Sequence, residues 1–408
     1  MWQPRNSFRL SILVIVGGVG LTALLLFWKT RPSPAAAAYN RGKTLEAVHL
    51  IGDAQATYHQ AIQLDPRFAP PYRALAELAA ANSDFAPSIG YWKAYLARAP
   101  KAQHAWCQLA YAELMAGLEV PALHDAEREL QQDPNCGRAH LIAGVLYARK
   151  SEPRQALEHL APAAQAYPDN PRVQLVYGRV LALSGEYDRA EPVFQGIISK
   201  DKAHAEPYYW LGYIYARRPS TPQNIQQAQK HFLAALELLP EYPEANFELG
   251  HLYFGRGKVK EALPFVEKAV ANQKHYPAAL YLLAQTYEAL GRKSEAARTQ
   301  ERFRRESQLA AREKALLRLY AVDPNNLETA LALGQQELAL EKPESALLFL
   351  RDAAQRAPAD ERIQMALKRA QQLLAPAQPA MQAADPSQAP SSASLPRELT
   401  TAGGASSP

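Results

Sequence analysis

The stretch from Pro66 to Pro168 decides the fold, because it repeats one proline signal at a constant interval. The signal reads LDP at 64–66, RAP at 98–100, QDP at 132–134 and AYP at 166–168. The interval is 34 residues each time, and a fixed period of this size is the signature of stacked structural repeats. Proline cannot continue a helix, but its fixed φ suits the first turn of the next one. The stretch therefore predicts helical units that each end at a proline.

Small and aromatic residues keep the same period. Three glycines are spaced by 34 residues: Gly144, Gly178 and Gly212. The next interval, from Gly212 to Gly250, is 38 residues, and the insertion falls in a loop where Thr221 would cap a helix that begins at Pro222. Small residues let two helices cross closely when large side chains face them. The large side chains predicted to do so are Tyr147, Phe194, Tyr215, Phe232 and Tyr253.

This pattern resembles the tetratricopeptide repeat, a helix–turn–helix unit with a W-x2-L-G-x2-Y, then A-x3-F, then P pattern. Its best copy here runs through Tyr208, Leu211, Gly212 and Tyr215, then Ala228, Phe232, Ala235 and Pro240. Two departures are Lys202 and Lys274 in place of the closing proline, and Ala126 replaces a large side chain. The resemblance implies an all-α fold: a right-handed superhelical solenoid of about nine helix–turn–helix repeats over residues 35–360.

An apolar run precedes the predicted solenoid. Residues 1–9 form a short tail, Leu10–Trp28 carries no charge over 19 residues, and 29–34 form a linker. As a helix the run would span roughly 28 Å, about one hydrocarbon core. The sequence therefore predicts an N-terminal transmembrane helix that acts as a signal anchor. A cleaved signal peptide with its site in 35–38 is the alternative, but the run exceeds the usual ~7–15 residues of such a segment.

The C-terminal part departs from the regular repeat. A helix longer than one repeat allows is predicted from Ser294 to Tyr320, where Arg and Glu interleave as on a solvated helix face. Residues 361–375 are predicted to form a polar capping helix, which a repeat array needs at its end. From 376 to 408 the chain is dominated by Ala, Pro, Ser, Gln and Gly. Such a composition predicts a disordered tail.

Charge and motifs argue against several functions. The net charge is +5, but four basic side chains lie in residues 1–40 without any acid, so the body is close to neutral and nucleic acid is not a predicted partner. The cysteines Cys107 and Cys136 have no metal-ligand spacing and are predicted to lie at different heights in adjacent units, each a small buried group. The sequence lacks a phosphate-binding glycine loop and the HExxH, CxxC and GxSxG motifs. The prediction is a non-enzyme without cofactor or metal.

The resemblance also implies where a partner would bind. In the family, the first helix of each unit lines the inside of the superhelix. The predicted peptide-binding groove comprises Tyr111, Met115, Arg149, Arg172, Arg179, Tyr209, Tyr213, Arg217, Phe247, His251, Phe254 and Tyr281. Tyrosine and arginine are typical of binding hot spots, and the arginines favour an extended, partly acidic peptide. Packing between units is the alternative role for the aromatic side chains. The lysines and asparagines of the family's carboxylate clamp are not matched.

These observations predict a membrane-anchored scaffold. It would bind a peptide segment or subunit of a partner protein in its groove and serve complex assembly, while Leu10–Trp28 confines it to a membrane. The predicted location is a bacterial inner membrane with the repeat body extracytoplasmic. Two alternatives stay open: an import receptor of an organelle membrane, and a non-catalytic accessory subunit or degenerate relative of a repeat-containing glycosyltransferase.

Overall fold

A computed structural model describes residues 32–273 and 275–374, and these residues form nineteen α-helices without a strand. The helices fall into two compact units that divide between Leu146 and Tyr147. The first unit holds α1 (Pro34–Ala47), α2 (Ile51–Leu64), α3 (Pro70–Ala81), α4 (Phe85–Arg98), α5 (Ala105–Met115), α6 (Glu119–Gln132) and the larger part of α7 (Gly137–Arg149). The predicted all-helical fold is confirmed for this part of the chain.

The second unit contains the remaining helices. They are α8 (Pro153–Ala166), α9 (Pro171–Leu183), α10 (Tyr187–Lys200), α11 (Ala205–Arg217), α12 (Pro222–Leu238), α13 (Pro243–Gly255), α14 (Val259–Asn272), α15 (Pro277–Ala289), α16 (Lys293–Val322), α17 (Leu327–Ala339), α18 (Pro343–Arg356) and α19 (Glu361–Leu374). Odd-numbered helices are the first members of helix pairs, and α1, α3, α5, α9, α11, α13, α15 and α17 each pack on the even-numbered helix that follows.

Side-chain caps and proline begin several of these helices. The Thr221 hydroxyl accepts a hydrogen bond from the N–H of Asn224, and Pro222 occupies the first turn of α12. This confirms the predicted site of the insertion, which lengthens α12 to 17 residues where α10 has 14. The Asn170 side chain caps α9 in the same way. The first described helix begins at Pro34, one residue earlier than predicted, because Ser33 caps it.

Several helix pairs close where a glycine meets a larger side chain. A Cβ on Gly178 would lie 2.9 Å from the Phe194 ring, and one on Gly212 would lie 2.5 Å from the Phe232 ring. Both phenylalanines are fully buried, as their spacing predicts. The tyrosines predicted for the same role are only half-buried. Tyr215 instead stacks on His231 of α12 with ring centroids 5.6 Å apart, and Tyr147 and Tyr253 stack likewise on His159 and Phe265.

The C-terminal helices lie close to their predicted bounds: α16 begins one residue before Ser294 and ends two residues after Tyr320, and α19 ends one residue before 375. Helix α16 contains 30 residues and is largely exposed, and α19 buries Ile363, Ala366 and Ala370 against the preceding pair. Among the residues that the structure describes, no helix combines the length and the apolar character needed to cross a bilayer. The predicted anchor Leu10–Trp28 and the predicted disordered tail 376–408 lie outside the described residues.

Candidate functional site: an aromatic wall and a polar cluster

The first helices of the second unit form a continuous wall. Helix α9 contacts α11, α11 contacts α13, and α13 contacts α15, in addition to the contacts within each pair. Side chains on the same face of these four helices therefore lie next to one another. Six side chains, on α11 and α13 or immediately before α13 and α15, form what we call the aromatic face: Tyr209, Tyr213, Tyr242, Phe247, His251 and Tyr276.

The rings of the aromatic face contact one another across helices. Tyr209 lies 6.3 Å from Tyr213 and 5.1 Å from Tyr242, measured between ring centroids. Phe247 stacks on His251 at 6.0 Å and meets Tyr276 at 5.2 Å. Tilted and offset arrangements at these distances are favourable for aromatic pairs. The face is thus pre-ordered by its own packing.

The charge of Arg217 is paired with a carboxylate of the protein itself. Its guanidinium lies over the Tyr213 ring at 3.7 Å and donates two hydrogen bonds to the Glu248 carboxylate, at 2.8 and 3.2 Å. Burial lowers the pKa of Arg217, but the hydrogen bonds and charge of Glu248 outweigh it and raise the pKa overall. Glu248 on the next first helix therefore already pairs with Arg217, whose role in the predicted groove stays a prediction.

Burial keeps the tyrosines of this face neutral. It raises the pKa of Tyr209, Tyr242 and Tyr276 well above the ordinary value for a phenol, and acidic side chains nearby, Glu244 and Glu248 among them, raise it further. The pKa of Tyr213 is raised by burial as well. Near neutral pH these four tyrosines therefore present ring surfaces and uncharged hydroxyl groups.

The other predicted groove residues have varied surroundings. Tyr111 is 7% exposed beneath the Arg138 guanidinium, and Tyr209 is 8% exposed. Both belong mainly to packing, so little of either ring is left for a ligand. Tyr281 is 45% exposed and packs on Phe303 of α16. The remaining predicted residues are half-buried or exposed on first helices: Met115, Arg149, Arg172, Arg179 and Phe254.

Sequence reasoning missed two members of the face. Tyr242 and Tyr276 each stand immediately before a first helix, at positions assigned to loops. Their spacing of 34 residues was the available signal. It also missed Glu248, because its role depends on an arginine 31 residues away.

Comparison with known proteins finds family-model matches within the second unit. Residues 148–211 and 253–317 match one family model described as a tetratricopeptide repeat, and residues 222–277 match another with the same description. Tetratricopeptide-repeat matches therefore lie within residues 148–317 of the chain. We number the repeats by their helix pairs, so that the third is α5–α6, the sixth α11–α12 and the ninth α17–α18.

Individual proteins match over shorter parts. The chain is 26% identical over 150 residues to anaphase-promoting complex subunit 3 of Schizosaccharomyces pombe, covering 37% of this chain and 22% of that protein. It is 25% identical over 131 residues to the human protein O-mannosyl-transferase TMTC1, covering 32% of this chain and 14% of that protein. The chain thus spans less than a quarter of the length of either relative. The crystal structure of YrrB, described as a tetratricopeptide repeat protein with an unusual peptide-binding site, aligns with a TM-score of 0.43 and 21% identity, covering 46% of this chain and 95% of that one.

The third repeat holds a different kind of site, a polar cluster of five side chains: His104, Cys107, Glu129, Asp133 and Cys136. The Cys107 thiol hydrogen-bonds to Cys136. The prediction that the two cysteines lie at different heights was wrong, because Cys107 lies in the first turn of α5 and Cys136 just before α7, at the same end of neighbouring first helices. This hydrogen bond is the main cause that lowers the pKa of Cys136 to about 6, with further help from the N–H of Ala139 and from His104.

A cavity of about 780 Å³ opens elsewhere in the same repeat. Its wall includes Leu96, Trp106, Val120, Lys93 and the two acids Glu113 and Asp125. Glu113 is fully buried, and Lys93 Nζ lies 2.9 Å from its Oε1. Burial raises the pKa of Glu113, Asp125 raises it further, and Lys93 partly offsets both effects.

Proposed function

We propose that this chain is a scaffold that binds an extended segment of a partner protein along the aromatic face of its second unit. The observation that carries the proposal is the continuous wall of first helices, on which aromatic side chains are already held in contact with one another. Large, pre-ordered aromatic surfaces give binding energy at a low cost in conformational entropy.

The exposed parts of the face set the character of the ligand. His251 of the face and Tyr281 of the adjoining helix α15 are exposed, and Phe247 and Tyr213 are half-buried. A segment with apolar or aromatic side chains at intervals would pack on these rings, while its backbone would meet the tyrosine hydroxyls.

An acidic group in the ligand is favoured at one end of the face. Arg179 of α9 is half-buried, and its charge reaches the phenol of Tyr242. Since Arg217 is satisfied by Glu248, Arg179 is the cation that we assign to an acidic side chain of the partner. The partly acidic peptide that the arginines favour is thereby given one charged contact, the one with Arg179.

We further propose that Leu10–Trp28 anchors the scaffold in a bacterial inner membrane with the repeats on the extracytoplasmic side. The support is the uncharged 19-residue run itself, whose length suits a hydrocarbon core. Protease treatment of intact cells or oriented vesicles tests the side: the repeats should be digested only when the extracytoplasmic face is accessible. Digestion from the cytoplasmic side would overturn this location.

Site-specific crosslinking tests the binding face. A photo-reactive amino acid is placed at His251 or Tyr281 in the full chain, and at Lys268, an exposed residue of the second helix α14, as the matched control. We expect the same partner to be crosslinked from the first two positions and not from Lys268. Equal crosslinking from Lys268 would move the interface away from the wall.

A double variant tests the residues themselves. Tyr213→Ala combined with Arg179→Ala should weaken binding of the crosslinked partner by at least about tenfold, because an aromatic anchor and a paired charge are lost together. Lys268→Ala is the control and should leave the affinity unchanged. An unaltered affinity in the double variant would refute the aromatic face as the binding site.

A further inference from the structure

Four metal-binding side chains of the polar cluster converge on one point of the third repeat. His104 contributes Nδ1, Glu129 and Asp133 each contribute a carboxylate oxygen, and Cys136 contributes Sγ, all within 4.8 Å of one another. They come from three places in the chain: the start of α5, the end of α6, and the residue before α7. No local sequence motif joins them, and only the fold brings them together.

The distances are close to those of a small tetrahedral coordination shell. His104 Nδ1 lies 3.3 Å from Glu129 Oε1, 4.0 Å from Asp133 Oδ2 and 3.9 Å from Cys136 Sγ. Around zinc, with bonds of about 2.0–2.3 Å, neighbouring donor atoms lie roughly 3.3–3.8 Å apart. The other donor pairs lie within 4.8 Å of one another, so movements of up to about 1 Å would complete the shell.

Backbone hydrogen bonds already orient the donors. The N–H groups of His104 and Cys107 donate to the two oxygens of Glu129, at 3.0 and 3.2 Å. Asp133 Oδ1 accepts from the N–H of Asn135 at 3.0 Å, which turns Oδ2 toward His104. Such outer contacts fix ligand orientation in metal sites and contribute to affinity.

The cluster is open on one side. Glu129 and Cys136 are 1% and 7% exposed, whereas the side chains of His104 and Asp133 are 58% and 40% exposed. An ion can therefore enter past His104 and Asp133 and meet the thiolate and Glu129 behind them.

The donor set selects the kind of metal. Magnesium and calcium prefer sites built from oxygen alone, whereas one thiolate and one imidazole suit zinc. We propose that His104, Glu129, Asp133 and Cys136 form a zinc site that fastens the start of α5 to the end of α6 and the start of α7. The site is structural in character, since four protein ligands leave no position for a substrate.

Cobalt titration tests the site directly. The untagged full chain in detergent is stripped with a chelator under a phosphine reductant and titrated with Co²⁺, a spectroscopic substitute for zinc. We expect one Co²⁺ per chain, visible absorption typical of tetrahedral cobalt, and a thiolate-to-cobalt charge-transfer band that zinc abolishes. The absence of that band at millimolar Co²⁺ would overturn the proposal.

Variants assign the ligands. Cys136→Ser should remove the charge-transfer band, and His104→Gln and Asp133→Asn should each weaken Co²⁺ binding by at least about tenfold. Cys107→Ala removes the thiol that hydrogen-bonds to Cys136 but keeps all four ligands, so the band should persist at saturating Co²⁺. A band that survives Cys136→Ser, or that Cys107→Ala removes, would overturn the assignment.

Thermal unfolding provides a second readout that does not depend on colour. Zinc should raise the Tm of the wild-type chain and of Cys107→Ala, since a ligand that binds only the folded state stabilises it. It should raise the Tm of His104→Gln by less at the same zinc concentration, since this variant binds the metal more weakly and its exposed side chain can change without loss of the fold. An equal shift in His104→Gln would mean that zinc binds elsewhere.

Discussion

The third and sixth repeats place different side chains at corresponding positions. In the sixth, the ring of Phe232 packs against the backbone at Gly212. In the third, Ala110 takes the place of Gly212 and Ala126 that of Phe232, and both alanines are fully buried. One repeat therefore closes with an aromatic ring against bare backbone, and the other with two methyl groups. The helix–turn–helix fold accepts either, because each brings the two helices into contact.

The position three residues further on differs in chemistry as well. In the sixth repeat Tyr215 donates a hydrogen bond of 2.6 Å to Glu191 of the repeat before it. In the third repeat this position holds Glu113, fully buried beside Lys93. The comparison teaches that packing at the crossing sets the fold, while the adjacent position is free to carry an aromatic hydrogen bond or a buried charge.

The largest effect on stability is expected when the Phe232 ring is removed from the sixth repeat. Phe232→Ala should lower the free energy of unfolding by about 3–5 kcal/mol, because it removes a fully buried ring and leaves a cavity against Gly212. Urea denaturation followed by circular dichroism measures the change. Tyr281→Ala is the control and should cost far less, since that ring is 45% exposed. Equal losses in the two variants would refute the crossing.

The second largest effect is expected at Gly212 itself. Gly212→Ala should destabilise by about 1–3 kcal/mol, because the new Cβ would lie 2.5 Å from the Phe232 ring, although alanine is the better helix former. Gly196→Ala in α10 has open space around its Cβ and should instead stabilise by about 0.5–1 kcal/mol. A stabilising Gly212→Ala would show that the two repeats close in the same way.

The crossing could be predicted from sequence because its physics is periodic. A 34-residue step returns each residue to the same face of the same helix, so Gly178 and Gly212 identified Phe194 and Phe232 as their partners. The same step also predicted that Tyr215 packs in the crossing, whereas its ring lies beside the crossing and stacks on His231. Spacing fixes the face of a helix, but it does not fix how deeply a side chain enters.

The sites were less predictable because they depend on single departures from the period. His104 begins α5 with a φ of 60°, a left-handed conformation that no pattern required. That turn and the end of α6 bring His104 to Cys136, 32 residues away. Similarly, spacing places Arg217 on the groove face, but it does not predict the pairing of Arg217 with Glu248 on the next first helix. Binding at the aromatic face stays a prediction.

Buried acids should make stability depend on pH, and the ninth repeat provides the clearest test. Glu337 stands where Tyr215 and Glu113 stand in their repeats, and burial raises its pKa from 4.5 to about 7, with Lys342 lowering and Glu313 raising it. The folded state then binds more protons, so stability should fall as the pH rises from about 4.5 through about 7.

Glu337→Gln should remove that decline and stabilise the protein at pH ~8 by about 1–3 kcal/mol, while changing little at pH ~4. Urea denaturation at several pH values measures this. Glu361→Gln, an exposed position at the start of α19, is the control and should leave the wild-type profile unchanged. Glu113→Gln should act in the same direction, since burial raises the pKa of Glu113 too. A decline that persists in Glu337→Gln would exclude this carboxyl as its source.

The smallest effect is expected at Tyr215, the aromatic residue that occupies this position in the sixth repeat. Tyr215→Phe keeps the ring on His231 and removes only the hydrogen bond to Glu191, so it should cost about 0.5–1.5 kcal/mol. Arg218 also contacts Glu191, at 2.8 Å, and keeps that carboxylate paired in the variant. The loss should therefore be the same from pH ~6 to ~8, in contrast to Glu337→Gln. A loss that grows with pH across this range would mean that Glu191 is left uncompensated, and that the sixth repeat depends on buried charge as the third does.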